Sequence, residues 1–153
     1  MENAVKSIIS TKIETVDILE TAQDAAKMMS DKRISSLLVV NKKNKDEPLG
    51  IITERDLVQR VCALGVSSKD VPVRQIMSSP IATIDPSASV EVAADIMLSN
   101  KVRHLLVLNE ERKPVGILAP SDLNKYLRAN INLNEVKARI LEGLLEEEEM
   151  GGA

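Results

Sequence analysis

The stretch Gly-Ile-Ile-Thr-Glu-Arg-Asp-Leu at residues 50–57 decides the fold, because it returns as Gly-Ile-Leu-Ala-Pro-Ser-Asp-Leu at residues 116–123. The similarity extends outward, since RISSLLVVN at residues 33–41 returns as VRHLLVLN at residues 102–109. The first part of the chain therefore recurs, loosely, in the second. Two similar units are too few for a solenoid, in which three or more usually stack. They are enough for an internal pseudo-dimer, with matched pockets where the units meet.

Each unit is predicted to have the order β-α-β-β-α. The apolar run at residues 36–40 favours a strand that is covered on both of its faces. Thr21 with Asp24 three residues later predicts a capping box at the start of a helix, and Gly65 is expected to end another helix. The predicted strands are 13–16, 36–40, 49–53, 81–84, 105–108 and 115–118, the predicted helices are 21–31, 54–64, 89–100 and 121–130, and short turns are predicted at 5–9 and 73–77.

The composition narrows the class of protein. Of the 153 residues 44% are hydrophobic, and the core must be aliphatic because the chain has no Phe and no Trp. A net charge of −3 argues against a general nucleic-acid binder, which is usually basic. The N-terminus lacks the pattern of a signal peptide, and no apolar run approaches the roughly 20 residues of a membrane span. We therefore predict a cytoplasmic protein that binds neither nucleic acid nor membrane.

Two residue types that often carry chemistry occur once each. Cys62 excludes an internal disulfide, and its place in the middle of a predicted helix favours a packed thiol over a reactive one. His104 on its own disfavours a histidine-based zinc site. The sequence also has no phosphate-binding Walker loop and no convincing catalytic dyad. We therefore predict no catalytic residue and no metal site.

The segment after the second unit, residues 131–149, has a pattern of its own. Its apolar residues fall at helical spacing and form one stripe. A lone stripe must be covered, either by the same chain or by a second chain, and the sequence leaves both possibilities open. The run of glutamates near the C-terminus is expected to be solvated. The residues of the stripe are Leu133, Val136, Ile140, Leu141, Leu144 and Leu145.

The junctions between the last strand and the last helix of each unit are the candidate binding segments. At the first junction, Thr53 and Asp56 lie at a helix N-terminus, where free backbone N–H groups and the positive end of the helix dipole favour phosphate. The carboxylate of Asp56 can accept hydrogen bonds from both hydroxyl groups of a ribose. The alternative is purely structural, because a threonine with an aspartate three residues later also forms an ordinary capping box.

The second junction shifts that balance towards ligand binding. Ala119 stands in place of the threonine, so the helix cap is expected to be poor, yet Asp122 remains and Ser121 offers a hydroxyl beside it. An aspartate that is present without the capping hydroxyl is better explained by contact with a ligand than by helix capping. Arg103 and His104 open a predicted strand of the second unit. The guanidinium suits phosphate, whereas His104 can equally be an ordinary half-buried histidine.

The chain resembles a tandem pair of CBS (cystathionine-β-synthase) domains, often called a Bateman module. The resemblance covers roughly residues 4–128 and is carried by the order, duplication and spacing of its motifs, namely Gly50 with IITERDL, RISSLLVVN, VRHLLVLN, the turn VRQIMS and GILAPSDL. It implies an α/β (α+β) fold in which two β-α-β-β-α repeats pack by their sheets around a pseudo-twofold axis. We expect the first repeat at residues 4–68, the second at 69–130, and a C-terminal amphipathic helix with an acidic tail at 131–149.

The resemblance also implies two clefts between the repeats, in which members of this family hold AMP, ADP, ATP or S-adenosylmethionine. The aspartate position would hold ribose, the hydroxyl position would meet phosphate, and basic residues would neutralise the charge. For cleft one the matching positions are Ile51, Thr53, Arg55, Asp56, Ser78, Ile81, Val102, Arg103 and His104. For cleft two they are Ser10, Ile13, Ile34, Ser35, Ser36, Ile117, Ser121 and Asp122.

Cleft one is expected to bind a phosphorylated ligand more tightly than cleft two. Cleft two has Ala119 at the hydroxyl position and serines where cleft one has Arg103 and His104, although Arg103 is also expected to reach cleft two. We therefore predict a non-catalytic adenine-nucleotide sensor, suited to energy sensing, that forms a homodimer and signals to a separate effector protein. Two other functions stay open, a dimerisation scaffold without a ligand and a nucleotide hydrolase.

Overall fold

Each half of the chain forms one small three-stranded sheet flanked by helices. The structure is a computed structural model that describes residues 3–130 and 132–151. In each sheet the first strand pairs in parallel with the second, and the second pairs antiparallel with the third. The strands are β1 (Thr15–Asp17), β2 (Ser36–Asn41), β3 (Asn44–Thr53), β4 (Thr83–Ile84), β5 (Leu105–Leu108) and β6 (Pro114–Leu118). The helices are α1 (Ala22–Lys32), α2 (Glu54–Leu57), α3 (Val73–Ile76), α4 (Val90–Asn100), α5 (Pro120–Asn130) and α6 (Leu133–Gly151).

The predicted β-α-β-β-α order is present in both repeats, and the bounds of several elements differ from the prediction. Strand β3 begins at Asn44 rather than near residue 49, because the polar residues predicted as a loop form the solvent-exposed part of a hairpin. Helix α2 has one α-helical turn and continues as a π-helix over Val58–Cys62. The prediction that Cys62 is packed is wrong, because its side chain is exposed while the preceding Val61 faces the core.

Three apolar clusters hold the fold together. One belongs to the first repeat and is built around Leu37, Val39 and Ile52, and a second belongs to the second repeat. A third cluster lies between the two sheets, where Leu38 and Val40 of β2 contact Leu106 of β5. Because successive residues of a strand point to opposite faces, the apolar run of β2 serves both clusters. The predicted cover on both faces and the packing of the repeats by their sheets are therefore confirmed.

The segment before each repeat's first strand packs on the other repeat. Val5 lies in the core of the second repeat, and Val73 and Ile76 lie in the core of the first. The Ile51 N–H donates to the Ser78 carbonyl (3.1 Å), and the Ser78 N–H donates back to the Ile51 carbonyl (2.8 Å). A matching bridge joins Ser10 to Ile117. The predicted domain boundaries therefore assign each of these segments to one repeat, although its side chains pack in the core of the other repeat.

Gly50 and Gly116 make this exchange possible. A Cβ on Gly50 would lie 2.9 Å from the Ser78 carbonyl oxygen, and one on Gly116 would lie 2.7 Å from the Ser10 carbonyl oxygen. Replacement of either glycine by alanine is expected to lower the free energy of unfolding by about 1–3 kcal/mol, because the exchanged backbone must move away. Urea denaturation measures the change.

Gly143 provides the matched control for this prediction. It lies inside helix α6, and a Cβ there would meet no atom within 4 Å. Gly143→Ala is therefore expected to leave stability unchanged or to raise it by up to about 1 kcal/mol through helix propensity. Equal effects of Gly50→Ala and Gly143→Ala would contradict the close approach of the exchanged segment.

Candidate functional site

Cleft one is a cavity of about 500 Å³ between the repeats. Its walls come from the start of α2, the exchanged segment after α3, the chain that enters β5 and the start of α5. Two distant parts of the sequence therefore meet in one cavity because the sheets pack against each other. All nine residues that the sequence places in cleft one line it: Ile51, Thr53, Arg55, Asp56, Ser78, Ile81, Val102, Arg103 and His104.

Asp56 caps helix α2 and still presents one oxygen to the cleft. Its Oδ2 accepts hydrogen bonds from the Thr53 N–H (2.9 Å) and the Thr53 hydroxyl (3.1 Å), and the Asp56 N–H donates to the Thr53 hydroxyl (3.3 Å). Thr53 and Asp56 thus form the complete capping box that the purely structural alternative predicted. The other oxygen, Oδ1, forms an ion pair with Arg60, whose Nε lies 3.9 Å away and so beyond hydrogen-bond distance. That oxygen is the atom with which Asp56 can bind a ligand.

His104 lies in the wall of cleft one that the second repeat provides. Burial lowers the pKa of His104, the adjacent Arg103 lowers it further, and Asp56 opposes the shift. Its Nε2 is buried and has no hydrogen-bond partner among the described residues. Since a buried polar atom without a partner is costly, this nitrogen is a candidate contact for a polar group of a ligand.

The lining of cleft one is basic overall. It contains four cationic side chains, those of Arg55, Arg60, Lys101 and Arg103, and two acidic ones, those of Glu54 and Asp56. A cavity with excess positive charge raises the local concentration of anions. Arg60 also donates to the carbonyl of Ile76 (3.0 Å), so it ties the exchanged segment to the cleft wall.

Lys101 was missed by the sequence analysis, as was its counterpart Arg33. Each residue ends a helix in the left-handed conformation, with φ of 53° at Lys101 and 54° at Arg33. This conformation turns the chain sharply into the next strand and leaves the cation at a cleft wall. A signal was present, because the two residues occupy equivalent positions two residues before Arg103 and Ser35.

Cleft two is a cavity of about 350 Å³ on the other side of the pseudo-twofold axis. Seven of its eight predicted residues line it: Ser10, Ile34, Ser35, Ser36, Ile117, Ser121 and Asp122. Ile13 does not line it, and it packs against the apolar cluster between the sheets. Arg103 lines cleft one and is absent from the lining of cleft two, so its expected reach into cleft two is not observed.

Cleft two contains basic groups that the sequence analysis did not place there. Lys12, Lys32 and Arg33 line it, so the expectation of a cleft with serines in place of cations needs correction. Glu14 lies between the two lysines, 3.0 Å from Lys32 and 3.6 Å from Lys12. The hydrogen bond from Lys32 lowers the pKa of Glu14. With Glu14, Glu54 and Asp122 as its acidic residues, cleft two is neutral in balance.

Asp122 lines cleft two and also caps the start of helix α5. Its Oδ2 accepts a hydrogen bond from the Ala119 N–H at 2.8 Å, which is half of the reciprocal capping arrangement at Thr53. The expectation that the second junction had lost its cap was therefore only half right, since the hydroxyl is gone and the carboxylate still caps. The four residues that line both clefts are Ser35, Glu54, Ala119 and Ser121.

The family of the chain follows from comparison with known proteins. The model of the CBS domain matches residues 5–63 and again residues 73–129. An uncharacterized protein of Methanopyrus kandleri is 38% identical over 73% of this chain, and the match spans only 58% of that relative. A putative signal-transduction protein with CBS domains from Burkholderia ambifaria is 34% identical, covers 80% of this chain and 88% of its own, and has a TM-score of 0.73.

One further structural relative was solved with a ligand. A CBS domain protein of Pyrobaculum aerophilum in complex with AMP has a TM-score of 0.70 and 24% identity, over 78% of this chain and 88% of that one. The chain belongs to the CBS domain family and contains two such domains in tandem, the arrangement of a Bateman module.

Two features are absent from the part of the chain that the structure describes. No helix there is long and apolar enough to cross a membrane. No group of three or more histidine, cysteine, aspartate or glutamate side chains is placed to hold a metal ion in the same part of the chain.

Proposed function

We propose that the protein is a non-catalytic regulatory module that binds an adenine nucleotide in cleft one. The observation that carries the proposal is that Asp56, whose Oδ1 lies outside the capping box and is paired with Arg60 at 3.9 Å, lines the same cavity as Arg103 and His104 from the other repeat. That cavity has excess positive charge. A cavity of about 500 Å³ is within the usual range for small-molecule sites.

The chemistry of cleft one fits each part of such a ligand. Ile51, Ile81 and Val102 offer an aliphatic slot for a base. Asp56 Oδ1 can accept hydrogen bonds from ribose hydroxyls, and the cations of the cleft can neutralise phosphate. The AMP complex of the Pyrobaculum aerophilum protein supports the proposal only through the shared fold, because the identity is 24%.

Cleft two is proposed to prefer a less charged adenosyl compound. Its three cations are balanced by three carboxylates, and Glu14 already pairs with both of its lysines. An anionic ligand would therefore gain less there than in cleft one. S-adenosylmethionine, which carries a sulfonium cation, is the probe that separates the two clefts from one another.

We propose that ligand binding to the module alters the activity of a partner protein. A ligand shifts a protein between two states only if it binds them with different affinity, and the exchanged segments make such a difference plausible because each cleft touches both repeats. We propose that the module acts as a homodimer and is read by a separate effector. The non-catalytic role is supported by the position of Cys62, the one thiol, which lines neither cleft. The cytoplasmic location stays a prediction.

Calorimetric titration with AMP, ADP, ATP and S-adenosylmethionine tests the proposal. Lys101→Gly is the informative variant, because glycine suits the left-handed conformation and the substitution is expected to stabilise the fold by about 1 kcal/mol. We expect it to weaken ATP binding about tenfold, the loss of one charge-assisted hydrogen bond, and to weaken AMP binding less. A loss of affinity in a more stable protein cannot be blamed on unfolding.

Arg33→Gly is the matched control, with the same backbone change in cleft two. It should leave the tighter nucleotide site unchanged. If none of the four ligands binds the folded wild-type protein, the nucleotide proposal is wrong. The scaffold function would then be favoured by the complete capping box at Thr53 and Asp56.

A further inference from the structure

The two clefts share one wall, which contains an acidic residue, Glu54. The other residues that line both clefts, Ser35, Ala119 and Ser121, have small side chains, so little side-chain bulk separates the clefts there. Glu54 is the first residue of α2 and is exposed. It forms no ion pair with any residue that the structure describes. The acidic residue between the two clefts is therefore not neutralised by a cation of the chain.

The symmetry of the fold places two arginines of cleft one close to this wall. A residue that lines both clefts must lie near the pseudo-twofold axis that relates them. Because a twofold rotation preserves the distance from its axis, the equivalent residue of the other repeat also lies near the axis. The equivalents of Ser35 and Ser121 are Arg103 and Arg55, and both line cleft one. Two cations that are available for phosphate are therefore near the same axis as Glu54.

Glu54 and the arginines act in opposite directions on a chain of phosphates. A first phosphate gains from the excess positive charge of cleft one, whereas each further phosphate adds negative charge near an unpaired carboxylate. We propose that Glu54 is a specificity residue that disfavours each phosphate after the first. This inference rests on the proposed binding of a nucleotide in cleft one. It assigns to the shared wall the discrimination between nucleoside monophosphates and triphosphates.

Glu54→Gln tests the proposal, because it removes the charge and nearly preserves the size of the side chain. The dissociation constants of AMP and ATP are measured by calorimetric titration in EDTA, so that no divalent cation screens the phosphates. We expect the affinity for ATP to rise about fivefold and that for AMP by less than about twofold. Glu54→Asp retains the charge and should keep the ratio of the two dissociation constants close to that of the wild type. A purely structural role of Glu54 would change both affinities by the same factor.

Glu91→Gln is the matched control. Glu91 is an exposed glutamate in the first turn of α4 and lines neither cleft, so its replacement should leave the ratio unchanged. Circular dichroism checks that each variant keeps its helix content. If AMP and ATP bind the wild-type protein and Glu54→Gln leaves their ratio unchanged or weakens ATP binding, the role of Glu54 alone is overturned. If neither nucleotide binds the folded wild-type protein, this inference and the proposed function are both wrong.

Discussion

Leu106→Ala is expected to lower the free energy of unfolding by about 2–5 kcal/mol, because the residue is fully enclosed between the two sheets. Leu106 is 1% exposed and contacts the cluster that contains Leu38 and Val40. Removal of three buried carbon atoms loses their transfer free energy and leaves a cavity that two facing sheets cannot easily close. The total stability of a domain is about 5–15 kcal/mol, so this single change removes a large part of it.

The measurement is urea denaturation followed by far-UV circular dichroism. Leu98→Ala is the control, because Leu98 is 78% exposed and its truncation should change stability by less than about 0.5 kcal/mol. The shape of the transition is also informative. Because Val5 and Val73 each pack in the opposite repeat, the two repeats should unfold together. Two separate transitions in the wild-type protein, or a loss below about 1 kcal/mol in Leu106→Ala, would contradict this account of the core.

The fold could be predicted because the same pattern of elements occurs twice in the sequence. The strand at residues 36–40 alone is an apolar run that also suits a buried helix. Its recurrence at 105–108, followed each time by a glycine-containing strand and a helix with an aspartate in its first turn, left one arrangement. The capping box at Thr21 and Asp24 was likewise local, since it depends on residues three apart, and it is present.

The features that sequence missed depend on tertiary contacts. The exchange of Val5 and Val73 between repeats cannot be read from periodicity, which gives the buried face of a segment but not its partner. Ile13 was assigned to cleft two by its position in the repeat, yet it does not line that cleft, whereas its counterpart Ile81 lines cleft one. Lys101 and Arg33 were missed because a left-handed residue is usually sought at glycine, and the cleft walls depend on where that turn directs the side chain.

The two clefts differ mainly in how many of their cationic side chains already form ion pairs with carboxylates of the same cleft. Both contain several cations, so a count of basic residues does not separate them. In cleft two Glu14 lies within 4 Å of two lysines, whereas in cleft one Asp56 lies 3.9 Å from one arginine and no ion pair to Arg55, Lys101 or Arg103 is found among the described residues. Because paired cations attract an added phosphate less, the difference favours cleft one for a polyanion.

Asp56→Ala should reduce the affinity of cleft one for AMP by about tenfold to a hundredfold. The expected loss is that of charge-assisted hydrogen bonds from ribose hydroxyls to Oδ1, about 1.5–3 kcal/mol. A competing effect has the opposite sign, because removal of a carboxylate favours the nearby phosphate. At roughly 8 Å in water that gain is only about 0.5 kcal/mol for each unit charge, so the loss prevails.

Asp24→Ala separates ligand binding from helix capping, because Asp24 forms the same capping box in α1 and lines neither cleft. The Thr21 N–H donates to its Oδ2 at 3.0 Å, against 2.9 Å for the Thr53 N–H at Asp56. Both variants should therefore lose a cap worth about 0.5–2 kcal/mol of stability. Only Asp56→Ala should lose nucleotide affinity, and only for a nucleotide with ribose hydroxyls, so 2′,3′-dideoxy-AMP should bind wild type and Asp56→Ala almost equally. If both variants bind AMP like the wild type, Asp56 is a cap and nothing more, and the ribose contact must be abandoned even if the nucleotide binds.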